Sequence, residues 1–222
     1  MKKKKKNKGI EVTSVRRKAG GLRRIETSGG ERFLVVKKAE TEHLLQPGTV
    51  LEEPDIRLLR DELAREAGMR LAGEKLRRRD RSEGEIRAFL MEEGVEKQAV
   101  IDYIIKTLKE HRYLDDRQFT NNYIEYRLKH RPTGPGMIKK KLLAAGVELS
   151  LIEEALARHY GREREREVAE EMIRRKFSPQ GDRERLVARV NGFLGRRGFS
   201  SGLTNSICAR ILRREFFEDQ YE

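Results

Sequence analysis

The chain has 222 residues, of which 36% are hydrophobic and 39% are charged, so it offers little apolar material for one deep core and favours several small helical bundles. Its formal net charge of +13 favours a polyanionic or acidic partner, such as nucleic acid, an acidic protein or anionic lipid. Cys208 is the only cysteine, which excludes an internal disulfide and a cysteine-rich zinc site.

The N-terminus carries a run of lysines. Residues 1–8 contain six of them, and we expect a disordered basic tail there. The tail either adds salt-sensitive attraction to phosphates or is only solvated, and both interpretations stay open. No apolar core follows the lysines, and no stretch approaches the roughly 18 apolar residues that cross a bilayer. We therefore expect a cytoplasmic protein without membrane contact.

Residues 9–54 predict a small β-rich region followed by a linker. Three short, partly β-branched runs (GIEVTSV, LRRIET and RFLVVKK) are separated by AGG and SGG. Glycine pairs supply the positive φ angles that tight hairpins need, so we predict a three-stranded meander. Residues 39–45 are predicted to form a helix over one face, because three strands alone are marginally stable.

A repeat with a period of 52 residues runs through the rest of the chain. Each copy has an apolar residue, a leucine four positions on, a glycine four further on, and then an apolar residue. Because glycine readily takes the left-handed conformation that ends a helix, Gly94, Gly146 and Gly198 are predicted to close a helix in each copy. The three segments are IRAFLMEEGV (86–95), IKKKLLAAGV (138–147) and VNGFLGRRGF (190–199).

Each copy predicts a bundle of three helices. Apolar residues recur ten and fourteen positions after each glycine, and this four-residue spacing marks one face of a third helix. We predict a mainly α fold, an elongated array of three tandem three-helix repeats over residues 55–111, 112–160 and 161–222, preceded by the β-meander and its helix. The two apolar columns are Ile104, Leu156 and Cys208, and Leu108, Tyr160 and Leu212. The predicted helices span 55–78, 82–93, 97–110, 116–130, 134–145, 150–160, 162–177, 182–196 and 201–216.

Two adjacent aspartates stand at the start of the second repeat, in YLDDRQF. Asp115 fits the N-cap of a helix, and Gln118 then falls where the reciprocal partner of a capping box belongs. Leu114 and Phe119 fall at the two positions of a hydrophobic staple. The same box spacing occurs at Ser82 with Glu85 and at Ser150 with Glu153.

The aspartates therefore predict a helix start and not a catalytic pair. Asp116 faces the positive end of the helix dipole, and Tyr113 is expected to pack between neighbouring helices. Nothing nearby supplies a nucleophile, a base or further metal ligands, and GPGMIKKK lacks the glycine spacing of a phosphate loop. We predict no catalytic residue, no bound metal and no cofactor.

Basic residues cluster where the end of one helix runs into the start of the next. Free N–H groups at a helix start favour anions, so each cluster is a candidate contact with a linear charged target. A solvated helical face is the alternative. The middle repeat, with its Gly-Pro turn and three consecutive lysines, is the best candidate. The predicted basic face comprises Arg77, Arg78, Arg79, Arg81, Arg87, Arg127, Lys129, Arg131, Lys139, Lys140, Lys141, Arg196 and Arg197.

These motifs, in this order, resemble the RecX family of bacterial regulators of the RecA recombinase. The resemblance covers about residues 9–215, and this chain departs from the family's pattern at Arg112, where a glycine usually precedes YLDD. It also has Gly136 and Met137 where a basic residue often follows the Gly-Pro. The residues that carry the resemblance are RRDRSEGEIRAFLMEEGV (78–95), YLDDRQF (113–119) and RPTGPGMIKKKLLAAGVELSLIEEAL (131–156).

The resemblance implies a non-enzymatic regulator that takes part in DNA recombination, DNA repair and the SOS response. Family members lodge in the groove of the RecA–single-stranded DNA filament and limit filament growth, ATP hydrolysis, strand exchange and co-protease activity. The alternative is an autonomous, sequence-independent DNA-binding protein that contacts phosphates directly. Single-stranded DNA is thus an expected partner, directly or within the filament, and we expect a monomer.

Overall fold

The computed structural model describes residues 9–217, so the tail predicted for residues 1–8 lies outside the described residues. The fold is mainly helical with a small antiparallel sheet near the N-terminus, as predicted. The described residues divide into two compact units, residues 9–115 and residues 116–217. Each unit has a hydrophobic core of its own.

Four antiparallel strands form the sheet of the first unit. They are β1 (Ile10–Arg17), β2 (Leu22–Thr27), β3 (Arg32–Val36) and β4 (Val50–Leu51), in the order β3-β2-β1-β4. The pairing of β1 with β2 and of β2 with β3 confirms the predicted meander. β4 was not predicted, because two residues carry no readable alternation. The helix predicted over residues 39–45 is a short 3-10 helix, Ala39–Leu44.

The helices of the first unit are α1 (Glu53–Arg57), α2 (Ala64–Leu76), α3 (Glu83–Glu93) and α4 (Gln98–Glu110). A π-helical stretch, Leu58–Leu63, joins α1 to α2, so the predicted helix over 55–78 runs over residues 53–76. Leu59 of this stretch is buried in one core with Val35 of β3 and Ile104 of α4. Sheet and helices therefore share the apolar residues that neither could bury alone.

The helices of the second unit are α5 (Asp116–His130), α6 (Pro135–Ala144), α7 (Leu149–His159), α8 (Arg162–Lys176), α9 (Arg183–Arg197) and α10 (Ser201–Leu212). The predicted bounds hold to one residue, except that α10 ends at Leu212 and not at residue 216. Arg214 has a φ of 72°, a left-handed conformation that cannot continue a helix. Leu212 is 48% exposed, so its predicted place on the apolar face is wrong.

The repeat glycines end α3, α6 and α9 in the same way. Gly94, Gly146 and Gly198 have φ angles of 97°, 77° and 78°. In each case the next residue donates its N–H to the carbonyl of the repeat leucine, at 2.9, 3.1 and 3.2 Å. This 6→1 bond is the mark of a Schellman motif, and the following apolar residue is buried each time. The predicted helix closures are thus present in both units.

The two predicted serine caps have different outcomes. Ser82 precedes α3, is fully buried and accepts a hydrogen bond of 3.1 Å from the N–H of Glu85. Ser150 is not a cap, because α7 begins one residue earlier with Glu148 at the N-cap position. Its hydroxyl instead donates to the Glu148 carboxylate at 2.5 Å.

Candidate functional site

The Gly-Pro turn before α6 packs on the end of α9. The N–H of Gly134 donates to the carbonyl of Arg197 at 2.8 Å, and the N–H of Gly136 donates to the carbonyl of Gly198 at 2.9 Å. The Thr133 hydroxyl donates to the same Arg197 carbonyl at 2.9 Å. The positive end of one helix dipole therefore faces the negative end of another.

This packing corrects one expectation. We expected the free N–H groups at the start of α6 to attract an anion, but Gly134 and Gly136 donate to protein carbonyls. A Cβ on Gly134 would overlap the carbonyl group of Gly198 and the nitrogen of Phe199, so glycine is needed for the two backbones to approach. The turn is a structural junction, and anion binding here must use side chains.

Tyr160 stabilises the junction through a buried hydrogen bond. Its hydroxyl donates to the carbonyl of Thr133 at 2.8 Å, and both residues are buried. Burial, together with the charge of Glu165, raises the pKa of Tyr160 above its ordinary value, so the donor hydrogen stays in place. The turn is thus held by hydrogen bonds to residues at the ends of two helices, α7 and α9.

Most cations of the predicted basic face in this unit have no carboxylate partner among the described residues. Basic residues in the last turn of a helix interact favourably with its dipole, which accounts for the ends of α5 and α9. Arg197 lies over the ring of Phe193 at 5.4 Å and donates to the Pro132 carbonyl at 3.4 Å. Within residues 9–217, seven members of the predicted basic face in this unit make no ion pair: Arg127, Lys129, Arg131, Lys140, Lys141, Arg196 and Arg197.

Lys139 is the exception in the second unit. Its ammonium group lies 2.7 Å from the carboxylate of Glu153 on α7. It belongs to an intramolecular ion pair, so the three consecutive lysines are not equivalent. Lys140 and Lys141 are the exposed pair of the three.

The predicted basic residues of the first unit are mostly neutralised. Arg79 and Arg81 both pair with Glu85, at 2.6 and 3.6 Å. Arg87 bridges Glu83 at 2.8 Å and Asp102 at 2.6 Å. In the described part of this unit, the members of the predicted face without an ion pair are Arg77 and Arg78, which are exposed.

The charge of the two units differs accordingly. Residues 9–115 contain 22 basic and 21 acidic residues, a formal excess of +1. Residues 116–217 contain 22 basic and 13 acidic residues, a formal excess of +9. The second unit is therefore the better candidate for binding a polyanion.

The aspartates of YLDDRQF lie at the start of α5. The helix begins at Asp116, which leaves Asp115 in the position before it, where a cap belongs. Leu114 is buried in the core of the first unit and Phe119 in that of the second. The capping box with Gln118 and the staple stay predictions. No group of three His, Cys, Asp or Glu side chains suited to a metal occurs in the part of the chain that the structure describes.

Tyr113 does not pack between helices as we expected. Its side chain is 69% exposed, and its ring centroid lies 6.2 Å from that of His111. The preceding residue, Arg112, has a φ of 57°, in the left-handed region that favours glycine. A glycine would adopt the positive φ of residue 112 with less strain than the arginine of this chain.

Sequence reasoning missed an aromatic pair beside the cations of α5. The rings of Tyr126 and His130 are 4.9 Å apart, and both residues are exposed. The four-residue spacing of an aromatic residue and a histidine in YIEYRLKHR was the available signal. Elsewhere in the described range, residues 9–217, no helix is long and apolar enough for a membrane span.

Known proteins resemble this chain over both units. A family model described as "RecX, second three-helix domain" matches residues 115–156, which contain α5, α6 and most of α7. Regulatory protein RecX of Oceanobacillus iheyensis is 27% identical over 192 residues, covering 86% of this chain and 70% of that protein. Regulatory protein RecX of Streptococcus sanguinis is 22% identical over 213 residues, covering 96% of this chain and 81% of that protein.

The family model and these relatives support the assignment of this chain to the RecX family. A shorter alignment to regulatory protein RecX of Geobacillus kaustophilus has 30% identity over 136 residues, covering 60% of this chain and 50% of that protein. These relatives are named regulatory proteins, which supports a regulatory role for this chain.

Solved RecX structures share the fold. A crystal structure of regulatory protein RecX matches with a TM-score of 0.58 and 24% identity, covering 88% of this chain and 97% of that one. The crystal structure of RecX from Lactobacillus salivarius matches with a TM-score of 0.55 and 21% identity, covering 68% of this chain and 96% of that one. The arrangement described above is thus a RecX fold.

Proposed function

We propose that this protein regulates the RecA recombinase by binding in the groove of the RecA–single-stranded DNA filament. Bound there, it limits filament growth, ATP hydrolysis, strand exchange and co-protease activity, and so regulates recombinational DNA repair. The protein acts by binding and not by catalysis. It acts in the cytoplasm, as a monomer.

The observation that carries the proposal is the unneutralised charge of the second unit. Its described residues have a formal excess of +9, and seven cations of the predicted face lack an ion pair there. The RecX family model matches this same part of the chain, residues 115–156. A filament built on single-stranded DNA is a polyanion, which a surface of this kind attracts and orients.

The repeated architecture supports binding to a repeating target. Three-helix groups follow one another along the chain, each with a basic helix end. When one group is bound, the next binds at a high effective concentration, so modest contacts add to a firm attachment. Bridging of neighbouring RecA subunits is the form of binding that such a chain favours.

The first experiment titrates single-stranded-DNA-dependent ATP hydrolysis by the cognate RecA with this protein at near-physiological salt. Binding to bare DNA is recorded in parallel. Loss of hydrolysis at substoichiometric protein, before DNA binding is detectable, is the expected result. Loss only at concentrations that coat the DNA would contradict the proposal and favour the alternative of an autonomous, sequence-independent DNA-binding protein.

Paired variants locate the contact. The double change Lys140→Ala with Lys141→Ala removes two exposed, unpaired cations from α6, and we expect about tenfold weaker inhibition. The matched control is Arg77→Ala with Arg78→Ala, which removes two exposed, unpaired cations from the first unit. Equal effects of the two double variants would mean that the charge of the second unit is not what carries binding.

Salt dependence separates the two functions. If the lysines contact phosphates of a bare strand, losing two contacts lowers the slope of log affinity against log salt by about 1.4. The autonomous binder requires that decrease on free single-stranded DNA. If the lysines instead contact the assembled filament, the double variant lowers the salt dependence of inhibition and leaves the salt dependence of binding to free single-stranded DNA unchanged.

A further inference from the structure

A pair of aromatic rings stands on the exposed side of α5. The ring centroids of Tyr126 and His130 lie 4.9 Å apart, with their planes tilted by 39°. The two residues are four positions apart and therefore adjacent on one helix face. Tyr126 is 52% exposed and His130 is exposed as well, so the pair is open to a ligand.

Two cations border the pair. Lys129 lies three positions after Tyr126, and Arg127 three positions before His130, so both are neighbours on the helix surface. Neither forms an ion pair within residues 9–217, and the Nε of Arg127 is buried without a hydrogen-bond partner. The nearest carboxylate in sequence, Glu125, lies 3.9 Å from the ring of His159.

The exposed part of this face carries no aliphatic side chain. Ile124 is fully buried, and Leu128 packs against the core of the second unit. The Tyr126 hydroxyl makes no hydrogen bond to any other described residue, so its ring is not held there by a polar contact. An exposed aromatic ring set among cations is the arrangement that binds single strands, because bases stack on rings while cations contact phosphates.

We propose that Tyr126 and His130 form a stacking platform for a base of single-stranded nucleic acid, with Arg127 and Lys129 contacting the adjacent phosphates. The proposal deepens the proposed function and rests on it, because it names the bases of the strand as a direct ligand of the second unit. Sequence tolerance follows, since every base has a face that can stack.

A single fluorescent reporter tests the contact directly. The chain contains no tryptophan, so Tyr126→Trp places the only indole at the platform. We expect oligo(dT) of about ten nucleotides, added at about 50 mM salt, to quench its fluorescence. An abasic oligomer of the same length, which keeps the phosphates and lacks the bases, should leave the fluorescence nearly unchanged.

Alanine variants measure the contribution of stacking. Tyr126→Ala should weaken binding of oligo(dT) about fivefold to 150-fold and leave binding of the abasic oligomer unchanged. His130→Ala should likewise weaken binding of oligo(dT) and leave binding of the abasic oligomer unchanged. The matched control is Tyr113→Ala, which removes an exposed tyrosine that also neighbours a histidine, and it should leave oligo(dT) binding as in the wild type.

Three results would overturn the stacking platform. They are equal quenching by the two oligomers, no measurable binding of oligo(dT) at about 50 mM salt, and unchanged oligo(dT) affinity of Tyr126→Ala. If Tyr126→Ala lost only the inhibition of RecA ATP hydrolysis, the ring would contact protein and the platform would likewise be wrong.

Failure of the proposed function gives a different pattern. If oligo(dT) quenches the Tyr126→Trp variant selectively while the wild-type protein never inhibits RecA, the platform is retained and the regulatory role is lost. A wild-type protein that inhibits RecA without base-selective binding would retain the role and lose the platform.

Discussion

The two units contain equal numbers of basic residues, 22 in residues 9–115 and 22 in residues 116–217, yet only the second is strongly positive. The repeat explains the difference when positions 52 apart are compared. Arg79 of the first unit pairs with Glu85 at 2.6 Å, whereas the equivalent Arg131 is followed six positions on by Met137. The positive surface was thus produced by the absence of carboxylates and not by additional cations.

The same comparison explains how the helix starts differ. Ser82 caps α3 with its side chain, and the equivalent residue before α6 is Gly134. Gly134 leaves room for the end of α9, where the Gly198 carbonyl accepts the N–H of Gly136, one of the donors that a side-chain cap can satisfy. The second unit therefore exchanges a local cap for a tertiary contact, and its stability depends more on the junction.

The largest expected effect is at the repeat glycines. Gly198→Ala introduces a Cβ that overlaps Met137 in addition to the cost of a positive φ, so we expect a loss of about 3 kcal/mol or more in the free energy of unfolding. Gly94→Ala meets nothing closer than 3.7 Å and should lose only about 1–2 kcal/mol. Urea denaturation followed by circular dichroism measures both, and equal losses would contradict the junction's importance.

A second prediction restores the missing carboxylate. Met137→Glu places an acid six residues after Arg131, as Glu85 follows Arg79. We expect inhibition of RecA to weaken up to about tenfold, because one cation is neutralised and one negative charge is added beside the basic face. Glu85→Met in the first unit is the converse variant. Improved inhibition by Met137→Glu would show that the positive face is not the binding surface.

A third prediction concerns two strained backbones, one in each unit. Arg112 and Arg214 have φ angles of 57° and 72°, which cost an L-residue about 1–2 kcal/mol. Substitution by glycine relieves this strain, less the entropy that glycine loses on folding, so each variant should gain about 0.5–1 kcal/mol. Thermal unfolding checks both. A loss of stability in either variant would mean that the arginine side chain contributes more than its backbone costs.

The smallest effect is the pH dependence contributed by Glu83. Burial raises the pKa of Glu83, but the hydrogen bonds from Arg87 and Lys109 lower it by more. The net shift of the pKa is therefore downward. A lowered folded-state pKa stabilises the protein above the unfolded pKa of about 4.3, and this stability is lost as pH falls through the folded pKa.

Glu83→Gln tests this sign. At pH 7 the variant should be less stable than wild type by about 0.5 kcal/mol, because the ion pairs are partly exposed and screened. Near pH 3 the two proteins should be closer in stability. A difference that grew toward acid pH would reverse the assignment. The measurement is the midpoint of urea denaturation across this pH range.

Much of the fold could be predicted from local patterns. Helix bounds in the second unit held to one residue apart from α10, and Gly94, Gly146 and Gly198 closed their helices as predicted. Apolar periodicity and Schellman closures depend on residues within a few positions of one another, so sequence spacing reveals them. The two-residue strand β4 was missed because it exists only through its pairing with β1.

The sequence by itself determined the repeat, the helices and the total charge of this protein. Only the tertiary structure decided which cations are free, since Arg87 of α3 is neutralised by Asp102 of α4 and Lys139 of α6 by Glu153 of α7. It also decided that the N–H of Gly134 binds a carbonyl of a residue 63 positions later and not an anion. The ion pairs and the junction both depend on how helices pack against one another. Contacts of this kind leave no periodic signal in the sequence.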